Sequence, residues 1–495
     1  MDLTPHLPAL QVIVPMLSSP LILLLKPRGL AWAGAAAVAV FSFAIALSMA
    51  LKVSSGSSFY YEMGGWEAPY GIALSVDAFS ALVLLIVTGA AAAALLAARP
   101  SIDQQIETER QPMFYAAFLL ALAGLAGITV SADAFNIFVF MEISSLASYI
   151  LIAGGPDRRA LPAVFKYLTM GTIGATFYLI GVGMVYMMTG TLNLADMETR
   201  LGDVTQLNPI LVAAGFITIG LALKAAIFPL HVWLPNAYTQ APHIVTVFLA
   251  ACATKVAIYV LIRFDFLVFQ STLENHTLQF STFLTPLALF GILVASAVAM
   301  FEGHIKRLLA MSSVAQIGYI ILGASFVTAT GLTASSMHLF NHALAKGGLF
   351  LAIAAIAYHY RDLRLDQLAG AAKTMPITAA CIVVCGLSLV GVPGTAGFIS
   401  KWLLIDAAIN SGGTAWLLVS IILLSSLMAL AYVYRIISTL YFKPAVVEQA
   451  PGEAPFQLLV IALTVAAANI VFGLLPFFAL TLSSGAAELL LEHTL

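Results

Sequence analysis

Apolar segments of eighteen or more residues follow one another along almost the whole chain. Each is long enough to cross the roughly 30 Å hydrocarbon core of a bilayer as a helix. Charged residues make up only 9% of the 495 residues, whereas soluble domains carry about 25%. The sequence therefore predicts an all-α polytopic membrane protein with about fourteen transmembrane helices.

The basic residues between these segments predict an orientation. With the N-terminus outside, fourteen of them fall on the cytoplasmic side and three on the outer side. Such a bias indicates the cytoplasmic side of a membrane protein, and it places both termini outside. The fourteen are Lys26, Arg28, Arg99, Arg110, Arg158, Arg159, Lys166, Lys306, Arg307, Arg361, Arg364, Lys373, Arg435 and Lys443; the three are Lys52, Arg200 and Arg263.

Four further lysines lie well inside apolar segments: Lys224, Lys255, Lys346 and Lys401. A charged side chain at the centre of a bilayer costs a few kcal/mol or more, so each requires a cause. One such residue could snorkel to the interface or pair locally. Four near mid-depth favour a functional explanation, a charge or proton pathway.

An acid lies in the fifth segment, which reads NIFVFMEISSLASYIL. Glu142 is eight residues past the start of this segment, roughly 12 Å into the membrane at about 1.5 Å per residue. A carboxylate there must be neutral or find a cation. Lys224, at similar depth in the seventh segment, is the partner that we expect.

The eleventh segment reads SMHLFNHALAKGGLF and places His338, His342 and Lys346 four residues apart. At this spacing the three side chains form one stripe on a helix face. Two histidines four apart can bind zinc, but nearby acids or cysteines that would complete a ligand set are missing from the segment. Ordinary packing of polar histidines is a second alternative. A proton relay is favoured because histidine titrates near neutral pH.

Prolines and glycines interrupt two of the apolar segments. Pro229 follows Lys224 in LKAAIFPLHVWLP, and Pro393 precedes Lys401 in GVPGTAGFISKW. Breaks in a membrane helix are tolerated where they line a cavity or are buried in protein. The two segments are the seventh and twelfth, an odd separation that predicts two inverted five-helix repeats. The predicted division is 1–111 with three helices, 112–263 and 264–440 as the repeats, and 441–495 with one helix.

Several function classes lack their sequence signals. The chain has neither a Walker A loop nor a dinucleotide fingerprint nor a CxxCH haem site, so we expect no cofactor and no nucleotide-driven step. Its three cysteines, Cys252, Cys381 and Cys385, lie in apolar segments, where packing is the expected role. Acids near segment ends (Asp77, Asp133 and Asp406) are expected to be interface groups rather than sodium ligands.

The motifs MEISSLASY, LKAAIFPLHVWLPNAYTQAP, TKVAIYVLIR, HLFNHALAKGGLF and VPGTAGFISKW resemble a known family. They are similar to the antiporter-like subunits of Mrp-type sodium/proton antiporters, complex I and membrane-bound hydrogenases, over roughly residues 70–440. The early GGWEAPYGIALSVDAFSAL and the chain length most resemble the D-type component of Mrp antiporters.

The resemblance implies a proton-translocating subunit of a monovalent cation (Na+)/proton antiporter, not itself an enzyme. Glu142 and Lys224 would couple one channel to its neighbour, Lys255 would link onward, and Lys401 would lie near an exit. The implied partners are the A, B, C, E, F and G type subunits, membrane lipids, protons and Na+, without nucleic acid, in the inner (plasma) membrane of a prokaryote. A proton-pumping subunit of a redox complex and a purely structural scaffold subunit are the alternatives.

Overall fold

The computed structural model describes residues 3–25, 28–269, 283–445 and 452–492. Lys26, expected on the cytoplasmic side, lies outside the described residues. The described chain is nearly all helical. Its α-helices are α1 (Leu7–Leu23), α2 (Arg28–Val53), α3 (Ala78–Gln105), α4 (Gln111–Val130), α5 (Ala134–Ala153), α6 (Ala160–Thr189), α7 (Leu194–Leu201), α8 (Leu207–Ala225), α9 (Trp233–Gln240), α10 (His243–Arg263), α11 (Thr285–Phe301), α12 (Ile305–Ser325), α13 (Ala329–Ala357), α14 (Pro376–Val390), α15 (Ala396–Ile409), α16 (Ala415–Tyr441), α17 (Phe456–Leu474) and α18 (Phe477–Leu491).

Twelve helices of the described chain are long and apolar enough to cross a membrane. A thirteenth span is counted if the short helical turns of Leu365–Lys373 and α14, bent by 115°, are taken together. The predicted class, an all-α polytopic membrane protein, is confirmed. The predicted number of fourteen is reached when the 17-residue α11 and the interrupted α14–α15 are added. Sequence reasoning missed the sharp 115° bend and the short final helix α18.

A small hairpin precedes α3. Its strands β1 (Phe59–Glu62) and β2 (Ala73–Val76) pair antiparallel. Asp77 then caps α3, accepting a hydrogen bond from the backbone N–H of Ser80 at 2.9 Å. Arg263 at the end of α10 forms an ion pair with the same carboxylate. Burial raises the pKa of Asp77, but the Arg263 charge and the Ser80 hydrogen bonds outweigh it and hold this pKa below its ordinary value. Asp77 is therefore a structural acid that ties α3 to α10.

The centre of the molecule is formed by α10, α12 and α13, which are almost completely surrounded by other helices. These three pack on one another and on α3 and α15. In contrast, fewer than half of the residues in the most apolar part of α2, α6, α16 and α17 are buried, as expected for helices that face lipid or other proteins. The free cysteines Cys252, Cys381 and Cys385 are all buried. Polar side chains on α10 and α13 are thus separated from the lipid by a layer of helices.

The predicted interruptions are confirmed, and the two breaks close in the same way. The residue that follows α8 is Ala226, whose φ is 57°, and the residue that follows α14 is Gly391, whose φ is 90°. In each case the next residue donates its backbone N–H to the carbonyl oxygen five residues earlier. Ile227 donates to Ala222, and Val392 donates to Leu387. This is the Schellman arrangement, which requires a left-handed residue at the end of the helix. After the break the chain re-enters a helix, α9 or α15.

Candidate functional site

Lys224 and Glu142 lie together, on facing helices α8 and α5. The Nζ atom of Lys224 is 3.4 Å from Oε1 of Glu142. It is closer to Ser145, to whose hydroxyl oxygen it donates at 2.7 Å. The lysine side chain is 7% exposed and the glutamate side chain 29% exposed. The lysine therefore has two partners within reach, one charged and one neutral.

The break in α8 positions Lys224. Its side chain leaves from the last turn of α8, just before the left-handed Ala226. Trp233 of α9 reaches back across the break and donates its indole N–H to the carbonyl of Leu223 at 2.9 Å. The same carbonyl also accepts the backbone N–H of Ala226 at 3.3 Å, so the backbone at the break keeps hydrogen-bond partners, as burial in an apolar environment demands. A small cavity of about 30 Å³ lies beside Lys224 and is lined by Ser144, Ser145 and Ser148 among others.

Lys255 lies at the centre of α10 and is fully buried. Its Nζ atom donates to the backbone carbonyl of Ala250, one turn earlier, at 2.5 Å. It has no carboxylate within 4.0 Å among the residues that the structure describes. A buried ammonium held by a single carbonyl is poorly stabilised, which favours exchange of its proton.

The predicted stripe on α13 is present, and its members have different surroundings. His338 has a partner at each ring nitrogen, Ser400 Oγ at 2.8 Å from Nδ1 and Gln316 Oε1 at 2.9 Å from Nε2. The His342 ring stacks beside it, with ring centroids 6.1 Å apart. Both nitrogens of His342 are buried without a protein hydrogen-bond partner in the described chain. The second histidine is thus the less restrained of the two.

Lys346 continues the stripe toward α12. Its Nζ atom donates to the Leu309 carbonyl at 2.7 Å and to the hydroxyl of Ser312. The side chain is fully buried. Both acceptors are neutral, so this lysine resembles Lys255 in lacking a counter-charge.

Lys401 also lies beside a helix break, on the helix that follows it. Its Nζ atom donates to the carbonyl of Val390, the last residue of α14, at 2.9 Å. It also donates to Ser426 Oγ at 3.1 Å and lies 4.9 Å from the centre of the Tyr319 ring. A cation over an aromatic face gains about 0.5–2 kcal/mol. Its position beside an end of α14 is the counterpart of Lys224 beside the end of α8.

One charge pattern distinguishes these sites. Among the four lysines, Lys224 alone faces a carboxylate within the part of the chain that the structure describes. The other three have backbone carbonyls and hydroxyl groups as partners. Such acceptors stabilise a charged lysine less than a carboxylate does. The arrangement can hold a variable number of protons, and it provides one place where a lysine can alternate between a charged and a neutral partner.

A zinc site on the α13 stripe has no support in the described residues. They contain no group of three or more His, Cys, Asp or Glu side chains that could hold a metal ion. Sequence reasoning missed the polar partners of the site, namely Ser145, Ser312, Gln316, Ser400 and Ser426. The signal was weak but present, because Ser145 follows Glu142 by three residues and Ser400 directly precedes Lys401.

Comparisons with known proteins show the family to which the chain belongs. The N-type component of the NADH-quinone oxidoreductase of Desulforudis audaxviator is 39% identical over 460 residues, covering 92% of this chain and 90% of that one. The D-type component of the Na+/H+ antiporter of Alkalihalophilus pseudofirmus is 33% identical over 353 residues, 70% of this chain and 69% of that one. A chain in the structure of the Mrp complex from a Dietzia species superposes with a TM-score of 0.89 at 28% identity, covering 99% of this chain and 98% of that one. A family model described as NADH:quinone oxidoreductase/Mrp antiporter, transmembrane, matches residues 131–429, and the chain belongs to that family.

Proposed function

We propose that this chain is a proton-translocating subunit of a hetero-oligomeric membrane complex. The observation that carries the proposal is the succession of buried lysines and histidines through the core, with one carboxylate at one end. The set consists of Glu142, Lys224, Lys255, His342, His338, Lys346 and Lys401, and Pro229 and Pro393 lie in the helix breaks beside it. Buried ionisable groups within a membrane are costly, and proton relays are among their recognised uses.

The proposed mechanism is electrostatic. When Lys224 lies on Glu142, the pair is neutral overall and has little effect on Lys255. When Glu142 takes a proton, or when Lys224 moves away from it, an uncompensated charge develops near the relay. In a protein interior of effective dielectric about 20, two unit charges about 10 Å apart still interact by about 2 kcal/mol. The state of the pair can therefore drive a proton along the neighbouring groups without a large helix movement.

The division into repeats supports a pathway with two halves. We assign 112–263 and 264–440 as the two five-helix units, in inverted orientation, flanked by 1–111 and 441–495. The support is the shared break geometry, in which Lys224 lies beside the end of α8 and Lys401 beside the end of α14. Paired broken helices at corresponding positions are the usual location of a transport pathway.

The first test replaces the charged pair. We expect Glu142→Ala and Lys224→Ala to abolish proton translocation in inverted membrane vesicles, measured with a ΔpH-sensitive dye, while the complex still assembles. Lys166→Ala is the matched control, because Lys166 is an exposed lysine on α6, and it should translocate normally. Undiminished translocation by either pair variant in an assembled complex would refute the proposal. Normal translocation after neutralising all four buried lysines would indicate a scaffold subunit instead.

The energy source separates two candidate complexes. The first is a monovalent cation/proton antiporter of Mrp type, with Na+ as the cation and small membrane subunits as partners, supported by the similarity to the D-type antiporter component. The second is a redox-driven proton pump, favoured by the 39% identity to the N-type component of NADH-quinone oxidoreductase over nearly the whole chain. Vesicles from cells with and without the gene distinguish them. Na+-induced proton movement supports the antiporter, and proton movement that requires an electron donor and acceptor supports the redox complex.

A further inference from the structure

His338 is the only relay histidine among the described residues whose two ring nitrogens both have side-chain partners. Gln316 lies on α12 and Ser400 lies on α15. The His338 ring, which projects from α13, is therefore hydrogen-bonded to two other helices. Both partners are fully or almost fully buried. A ring held at both nitrogens keeps one orientation, and its partners determine where a proton can sit.

The two partners impose different roles on the two nitrogens. The Gln316 oxygen that faces Nε2 can accept a hydrogen bond but cannot donate one. Nε2 therefore carries a hydrogen in both the neutral and the charged ring. In the neutral ring Nδ1 has a free lone pair, which accepts the hydroxyl hydrogen of Ser400. Nδ1 is thus the nitrogen that can take up the additional proton.

Ser400 has a second acceptor within reach. Its hydroxyl group lies 3.2 Å from the backbone carbonyl of Gly397, one turn earlier on α15. When Nδ1 of His338 gains a proton, the new N–H can donate to the Ser400 oxygen. The hydroxyl hydrogen then rotates onto the Gly397 carbonyl. Both protonation states of the ring are fully hydrogen-bonded after rotation of a single hydroxyl, with the ring itself stationary.

We propose that Gln316 and Ser400 are positioning residues that make His338 a proton carrier with Nδ1 as its working nitrogen. This inference rests on the proposed function. The ring gains one proton and one positive charge, and the donating ammonium group loses the same. Among the groups that face the ring, Lys401 of α15 and Lys255 of α10 can carry a positive charge. Tyr319 of α12 and His342 of α13 are the titratable rings beside it.

The test measures the pH dependence of proton translocation by the assembled complex in vesicles. Ser400→Ala removes the rotating hydroxyl, and we expect the rate to fall about fivefold, the effect of one ordinary hydrogen bond on a barrier. Ser400→Thr retains a hydroxyl and should restore most of the rate. Ser325→Ala is the matched control, since Ser325 is buried on α12 and its hydroxyl donates to the Leu322 carbonyl of its own helix at 2.7 Å.

Gln316→Glu gives the second measurement. A carboxylate at Nε2 favours the charged ring, so the alkaline limb of the rate–pH profile should move to higher pH. A purely structural role for Gln316 would lower the rate at every pH without moving that limb. Gln316→Met, which fills the volume without an oxygen acceptor, should lower the rate and leave the limb at or below its wild-type pH.

The outcomes separate this inference from the proposed function. Wild-type rates and pH profiles in assembled Ser400→Ala and Gln316→Glu complexes overturn the positioning role. If His338→Ala abolishes translocation in the same experiment, the relay itself still stands. If His338→Ala translocates normally, the relay role of this histidine fails together with the inference. If the Ser400→Ala complex fails to assemble, the Gln316→Glu variant tests the positioning role. A shift of its alkaline limb to higher pH supports that role, and an unshifted limb overturns it.

Discussion

Replacing Ser145 by alanine removes the nearer of the two partners of Lys224. In the structure Nζ of Lys224 is 2.7 Å from the Ser145 hydroxyl and 3.4 Å from the Glu142 carboxylate. Without the hydroxyl, the ammonium group has no neutral acceptor to hold it away from the acid. We expect it to close on Glu142 to about 2.8 Å, a usual distance for a charge-assisted hydrogen bond.

The size of the effect follows from the two separations. At an effective dielectric of about 20, unit charges 3.4 Å apart attract by about 5 kcal/mol, and charges about 2.8 Å apart attract by about 6 kcal/mol. The variant therefore stabilises the closed pair by about 1 kcal/mol. If release of Lys224 limits translocation, a deeper ground state of this size slows turnover about fivefold. The side chains of Lys224 and Glu142 are 7% and 29% exposed, so solvent screening reduces the attraction between them only modestly.

The assay is proton translocation by vesicles that contain equal amounts of assembled complex. Ser145→Ala should be about fivefold slower, and Ser145→Thr should recover most of the rate because it returns a hydroxyl. Ser48→Ala is the matched control, since Ser48 lies on α2 and donates to the Ile45 carbonyl of its own helix at 2.8 Å rather than to Lys224. A Ser145→Ala complex that turns over as fast as wild type, or faster, would refute the reasoning.

Two further predictions concern stability and are read from thermal unfolding of the purified protein. Ala226→Gly should raise the unfolding temperature and Gly391→Ala should lower it, because a left-handed residue with a Cβ costs about 1–2 kcal/mol. A Cβ at Gly391 would also lie 2.8 Å from Cδ of Lys401. A shift of the unfolding temperature in the same direction in both variants would contradict this explanation. Asp77→Asn should destabilise by about 3–5 kcal/mol, because it leaves the buried Arg263 without its carboxylate. Since the pKa of Asp77 is lowered in the fold, its contribution is complete above its ordinary pKa and is lost as the pH falls through the lowered value. The loss caused by Asp77→Asn should therefore be constant over the neutral range, and a loss that varies across that range would exclude the ion pair as its cause.

The large-scale fold was predictable from the sequence because it rests on strong signals. Long apolar runs determine membrane helices, and Pro229, like Pro393 with its neighbouring glycines, indicates that a helix is interrupted. The bend between Leu365–Lys373 and α14 was missed because short helical turns leave no periodic pattern. The end of α8 at Ala226 was also missed, since alanine is a good helix former and only the tertiary contacts of the break hold it at φ 57°.

The site was predictable where a charge is buried in an apolar run. The proximity of Glu142 and Lys224 was expected from their depth alone, and the two are in contact. The neutral partners were not predictable, since serine and glutamine inside membrane helices commonly bond to their own helix. Ser145 and Ser400 differ from such residues only because α8 and α13 place Lys224 and His338 opposite them. That placement is a tertiary property, and a single sequence carries little trace of it.

The burial of all three thiols, Cys252, Cys381 and Cys385, has a practical consequence for mapping the protein in cells. A membrane-impermeant maleimide reacts only with exposed thiols, so the unmodified chain gives a low background without removal of its own cysteines. Single cysteines introduced at exposed Trp66, beside the hairpin, and at exposed Arg361 can then be labelled one at a time. Reagent added outside the cell should reach the first and spare the second if the positive residues mark the cytoplasm. A pair of labelling reactions would thus give the direction of the whole pathway across the membrane.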